Sequence, residues 1–102
     1  MLYLMMDQKK KCNLVKVGES RQLNNRRSNY KSHNPFAIMR STCAGTENEE
    51  YKCHCILYKI GQRVPGTEWF IVSDAVFEML YQQGMGYFFP EKKNIYFNEI
   101  FK

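Results

Sequence analysis

With 102 residues, 44% hydrophobic and 25% charged, the chain has material for one compact domain and little for a second. Its formal charge of +5 favours a polyanionic partner such as nucleic acid, and no apolar run approaches the roughly 18 residues that a membrane-spanning helix needs. Met1 to Met6 is too short for a signal-peptide core, so an intracellular location, cytoplasm or nucleus, is expected, with Cys12, Cys43, Cys53 and Cys55 as free thiols.

In chain order, residues 2–6 and 14–17 are short apolar, β-compatible runs separated by a polar, lysine-rich segment, which predicts a hairpin. Gly18 ends the second run. Ser20 then offers an N-cap for a polar helix over about 21–31, which Asn34-Pro35 terminates, because the residue before proline is pushed out of the helical region. Phe36 to Thr42 supplies a third strand. Glu47 to Ile60 predicts a second helix, with carboxylates at its positive end and Lys59 at its negative end, stopped by Gly61. Residues 63–67 contain Pro-Gly and read as a turn, Trp69 to Val72 as a short strand, and Ser73 or Asp74 as the cap of a third helix to about Gln83. The tail crowds Tyr87, Phe88, Phe89, Tyr96, Phe97 and Phe101 among lysines and suits a terminal hairpin. The fold class is therefore a mixed α/β (α+β) domain over 1–84: a small three-stranded antiparallel sheet flanked by helices, with residues 85–102 as an aromatic extension packed on it.

Several short motifs fall in this frame. The first strand reads LYLM with Tyr3, the second reads VKVG with Lys16, and the stretch after it reads GESRQLNNRRSNYKSHNP with Ser20, Leu23, Arg26 and Asn34-Pro35. Glu50 and His54 stand four apart on the second predicted helix, hence on one face, and GTEWF follows it. Their order and spacing resemble the phage-type branch of the GIY-YIG nucleases, in which lysine commonly replaces the name-giving tyrosine of the second motif. The resemblance covers about residues 2–80; the glycine of the first motif has no counterpart, and nothing after Leu80 matches.

The resemblance implies a metal-dependent DNA endonuclease. Glu50 would be the single protein ligand of a divalent ion, magnesium or alternatively manganese, which keeps most of its waters. Arg26 would contact the scissile phosphate through its fork of donors. Tyr3 would be the base or orient the attacking water; a free phenol has a pKa of about 10, so it would need a neighbouring cation such as Lys16. His54 would orient Glu50, relay a proton or contact DNA, and Ser20, Arg21, Arg27 and Lys31 would add contacts to DNA. Each residue also has a plainer role: Glu50 as a dipole-satisfying helix carboxylate, Arg26 as a solvated charge, Tyr3 and Lys16 as ordinary strand residues, and His54 as a packed ring with a satisfied nitrogen. Trp69 and Phe70 are expected to pack in support of the second helix.

Two other readings compete. A zinc site at Cys53-His54-Cys55 is disfavoured, because residues 53 and 55 of a helix point about 200° apart and no Cys-x-x-Cys knuckle exists. A catalytically inactive nucleic-acid-binding module of the same fold is the main alternative. The tail aromatics could grip DNA, but six rings in so small a chain are expected mainly to fill the core or a homodimer seam.

Overall fold

The computed structural model describes residues 1–9 and 12–100, with only the backbone of 30–33. Its elements are β1 (Leu2–Asp7), β2 (Leu14–Glu19), α1 (Leu23–His33), β3 (Ala37–Cys43), α2 (Glu47–Ile60), β4 (Gly61–Arg63), β5 (Phe70–Val72), α3 (Asp74–Gln83), a 3₁₀ turn over Gly84–Tyr87, and β6 (Ile95–Tyr96). The mixed α+β class holds, but the sheet has six antiparallel strands in the order β4-β5-β2-β1-β3-β6, not three. The additional strands are two or three residues long. Strands that short carry no readable alternation; the longer β3 offers β6 a ladder, while β4 pairs with the equally short β5, which in turn lies on β2.

β1 is the central strand, as its near-continuous apolar sequence requires. Leu2, Leu4 and Met6 point to one face, where they meet Val15, Val17, Phe70, Cys53 and Leu57 of α2, Phe77 and Leu80 of α3, and Met85 and Phe88 of the tail. Tyr3 and Met5 point to the other face, where Ala37, Met39, Leu23 of α1, Trp69 and Phe97 cover them. Burying each large apolar side chain in these layers contributes about 1.5–3 kcal/mol of transfer free energy.

The register on β3 slips between Leu4, opposite Ser41, and Met5, opposite Met39. Arg40 is the extra residue of this bulge, and it reverses the alternation: Ala37 and Met39 face α1, whereas Cys43 joins the core beneath α2. The terminal hairpin is replaced by the 3₁₀ turn and the single strand β6 on the free edge of β3. Tyr87, Phe88, Phe89 and Phe97 pack into the chain's own two cores, Tyr96 is exposed, and Phe101 lies outside the described residues.

Local chemistry sets the helix boundaries. Thr46 and Glu49 open α2, the Glu49 carboxylate accepting the Thr46 N–H at 3.2 Å, half of a capping box. Ser73 caps α3 by accepting the Val76 N–H at 3.2 Å. Ser20 is not the N-cap of α1. Its hydroxyl accepts the Gln22 N–H at 3.0 Å, and its backbone pairs with Met1, so the helix begins later, at Leu23. Among the described residues no helix is long and apolar enough to cross a membrane.

At the exit of α3, Gly84 has φ +56 and ψ −138, a combination in which only glycine is unstrained, and a methyl group there would fall 2.3 Å from Ser41 Oγ, which accepts the Met85 N–H at 2.7 Å. Gly66 also has positive φ, +77, but faces open space. Gly84→Ala is expected to destabilise the protein by about 2 kcal/mol or more, and Gly66→Ala by about 1 kcal/mol. Urea unfolding of the two variants checks the contrast.

Candidate functional site

Tyr3 and Lys16 share the α1 face of the sheet. Tyr3 is paired with Gly18 across the hairpin, and Lys16, two residues before Gly18, is its diagonal neighbour. Gly18 does not end β2, which runs on to Glu19; its lack of a side chain makes room for the tyrosine. A methyl group on Gly18 would stand 2.3 Å from the Tyr3 hydroxyl oxygen, so the ring lies directly across this glycine. Tyr3 is 2% exposed, more deeply buried than an ordinary strand aromatic. Lys16 Nζ lies 3.5 Å from Glu68 of the loop before β5.

That loop is the GTEWF motif, and its residues alternate between faces. Trp69 joins the Tyr3 layer, whereas Phe70 enters the opposite core and meets Tyr58 of α2 edge-on at 5.0 Å and His54 at 6.3 Å. Phe70 therefore supports the second helix as expected, and Trp69 supports the other face.

On β2, β5 reaches only Leu14 and Val15, so the outer edge of β2 beyond Val15 receives no strand there. α2 lies against that edge. His54 Nε2–H donates to the Val17 carbonyl at 2.8 Å, which places a proton on Nε2. Glu50, one turn earlier on the same face, has its carboxyl pKa raised: partial burial disfavours the anion, the neighbouring His54 offsets this in part, and the negative charges of Glu68, Glu19 and Glu47 add to the rise.

A cleft of about 1080 Å³ opens beside this edge, between the start of α1 and the N-terminus of α2. Glu19, Ser20, Arg21, Arg26, Glu47 and Asn48 are among its lining residues. Tyr3, Lys16, Glu50 and His54 are not, so the residues expected to converge fall into adjoining groups. Acidic side chains join them: Glu19 and Glu47 line the cleft and act on Glu50, while Glu68 acts on Glu50 and pairs with Lys16.

Arg26 and Arg27 diverge. Arg26 lines the cleft, but Arg27 turns back onto the protein, where its guanidinium lies 4.5 Å over the Phe97 ring and forms an ion pair with Glu99. The Lys31 side chain lies outside the described residues. Glu19 and Glu99 were not anticipated; Glu68 had a sequence signal, its place within GTEWF, but no definite role. Among the described residues no three His, Cys, Asp or Glu side chains are gathered as a metal-binding group, so Cys53, His54 and Cys55 form no zinc cage. A hydrated ion held by one carboxylate requires no such group.

Fold and cleft together define a small mixed α+β domain that carries an arginine-bearing cleft beside a carboxylate–histidine pair on a strand edge. The chain belongs to the T5orf172 domain family, whose model matches residues 1–83. This family is a phage-associated, endonuclease-like domain related to the GIY-YIG and HNH nucleases, and it suggests a nuclease-like or DNA-binding function. Neither the curated proteins nor the solved structures provide a match to the chain.

The raised pKa of Glu50 has a definite sign in stability. The folded protein holds the Glu50 proton to a higher pH than the unfolded chain does, so stability present below the unfolded carboxylate pKa, about 4.3, is lost as pH rises through the folded value. Glu50→Gln is expected to raise Tm at pH 7 in the absence of divalent ions, with the gain vanishing as pH falls below about 4. Thermal melts across that range check it.

Proposed function

We propose that this chain is a metal-dependent DNA endonuclease of the GIY-YIG type, hydrolysing phosphodiester bonds. The observation that carries the reading is Glu50: a half-buried carboxylate at the open edge of β2, among other carboxylates, beside a cleft that presents Arg21 and Arg26. A carboxylate whose ionisation is opposed by its surroundings favours a cation, and an all-oxygen donor set suits a hard ion such as Mg2+, or Mn2+, over zinc. Glu50 would hold that ion with water completing its shell. Bound there, the ion would supply Lewis-acid stabilisation of phosphate charge and a water of lowered pKa.

The other side chains divide the remaining work. Arg26 would dock two oxygens of the scissile phosphate, and Arg21 would hold a neighbouring phosphate at the cleft. His54, held through Nε2 by Val17, would take a proton at Nδ1 or steady the Glu50 side. Tyr3 is 2% exposed and braced on Gly18, which suits orienting water through its hydroxyl better than becoming a free phenolate. Lys16 would neutralise charge next to it. Arg27 is engaged by Glu99 and Ser20 by the backbone of the turn, so neither is assigned a direct DNA contact. Self-association through the tail would run through exposed Ile95 and Tyr96 of β6.

A second reading, a DNA-binding module without chemistry, is favoured by one observation: the arginines line the cleft, but Tyr3, Lys16 and Glu50 do not. Supercoiled plasmid distinguishes the two. With Mg2+ the nuclease nicks it and with EDTA it does not, whereas a binder only retards it in both. Arg26→Ala is expected to lower nicking about 100- to 1000-fold, the scale for one transition-state donor, and Glu50→Ala to abolish it with DNA affinity nearly intact. Undiminished single-turnover nicking by Glu50→Ala would remove Glu50 as the ligand.

A further inference from the structure

α1 carries Arg26 yet has little with which to hold itself in place. Its sequence LNNRRSNYKSH is apolar only at Leu23 and Tyr30, where a helix docked on a sheet ordinarily presents a continuous apolar stripe. The tail supplies an anchor. β6 pairs with Ser41 and Thr42, and beyond it Phe97 exchanges hydrogen bonds with the bulge residue Arg40: the Phe97 N–H donates to Arg40 O at 3.0 Å, and Arg40 Nη1 donates to Phe97 O at 3.1 Å. Two residues later the Glu99 carboxylate bridges sheet and helix. One oxygen accepts the Met39 N–H at 3.0 Å, and the other accepts Arg27 Nε at 2.5 Å and also pairs with Arg27 Nη2. The Glu99 side chain is only 11% exposed, so water screens this pair poorly.

The same segment grips α2. Lys92 Nζ donates to Ala44 O at 2.7 Å and lies 2.5 Å from the Glu49 carboxylate, in the first turn of the helix. The two helices on either side of the cleft are thus each held next to a candidate site residue, Arg27 beside Arg26 and Glu49 beside Glu50. The holding segment lies beyond residues 1–83, the part that defines the family.

We propose that the C-terminal segment is a two-point clamp that sets α1 against the sheet and α2 across the cleft, and that Glu99 is a positioning residue that orients Arg26 through Arg27. The clamp stands on these contacts alone; its effect on cleavage rests on the nuclease reading.

Amide hydrogen exchange of the full chain, followed by NMR, tests it. Glu99→Ala is expected to speed exchange of the α1 amides from Arg26 onward about tenfold or more relative to those of α3, the scale of a lost charge-assisted bond. Glu99→Gln, which keeps an acceptor for Met39, should give a smaller change of the same pattern and carries the comparison if Glu99→Ala does not fold. Equal acceleration in α1 and α3, or none in α1, would overturn the clamp. In nicking assays, Glu99→Ala should lower kcat with KM for DNA within about twofold, because it displaces a transition-state donor and leaves ground-state contacts in place. Unchanged kcat despite a loosened α1 would overturn the positioning role. An inactive wild type would reject the nuclease reading instead, with hydrogen exchange still deciding the clamp.

Discussion

From Leu2 to Asp7, every side chain of β1 is 2% exposed or less. Such a strand is stable only with a layer on each face, and each layer brings one half of the candidate site with it. One face requires α2, which carries Glu50 and His54 to the edge of β2. The other requires α1, Trp69 and Phe97, and it holds Tyr3 and Lys16 beneath them. The candidate site lies where the two layers meet, past the end of β5, on the part of β2 that has a strand on only one side. The missing strand is what allows side chains from opposite faces of a sheet to influence one another.

Much of this was legible in the sequence because it follows from local periodicity. The hairpin that sets Lys16 on the strand beside Tyr3 follows from two short apolar runs either side of a polar segment, and Glu50 and His54 share a face because they are one helical turn apart; the pairing of Tyr3 with Gly18 was not legible, since Gly18 was expected to end the second run. What escaped depended on distant partners. The Arg40 bulge reverses the face of Cys43, and no alternation rule shows an inserted residue in a strand that is apolar on both sides. β4 and β6 were missed because two or three residues form a strand only when a neighbour's edge awaits them. The resemblance singled out Arg26 and gave Arg27 a contact to DNA, but nothing near Arg27 indicated that its partner stands 72 residues away at Glu99.

The carboxylates in and beside the cleft set up a repulsion that a bound cation would relieve. Glu19 and Glu47 line the cleft where a polyanion would bind, and with Glu68 they add to the burial that raises the Glu50 carboxyl pKa. Arg21 and Arg26 answer part of that charge, and the overall +5 would draw a nucleic acid in from a distance. At close range, a divalent ion on Glu50 would turn repulsion between carboxylate and phosphate into a shared attraction. DNA handling would then depend on an ion at one carboxylate, Glu50.

The most direct test places a paramagnetic ion in the protein. Mn2+ added in small amounts to the isotope-labelled chain broadens the amide signals nearest to where it binds. The account predicts loss of the signals around Glu50, His54 and Glu19 first, and no such loss in Glu50→Gln. Broadening centred elsewhere, or the same broadening at Glu50 and Glu19 in Glu50→Gln as in the wild type, would contradict it.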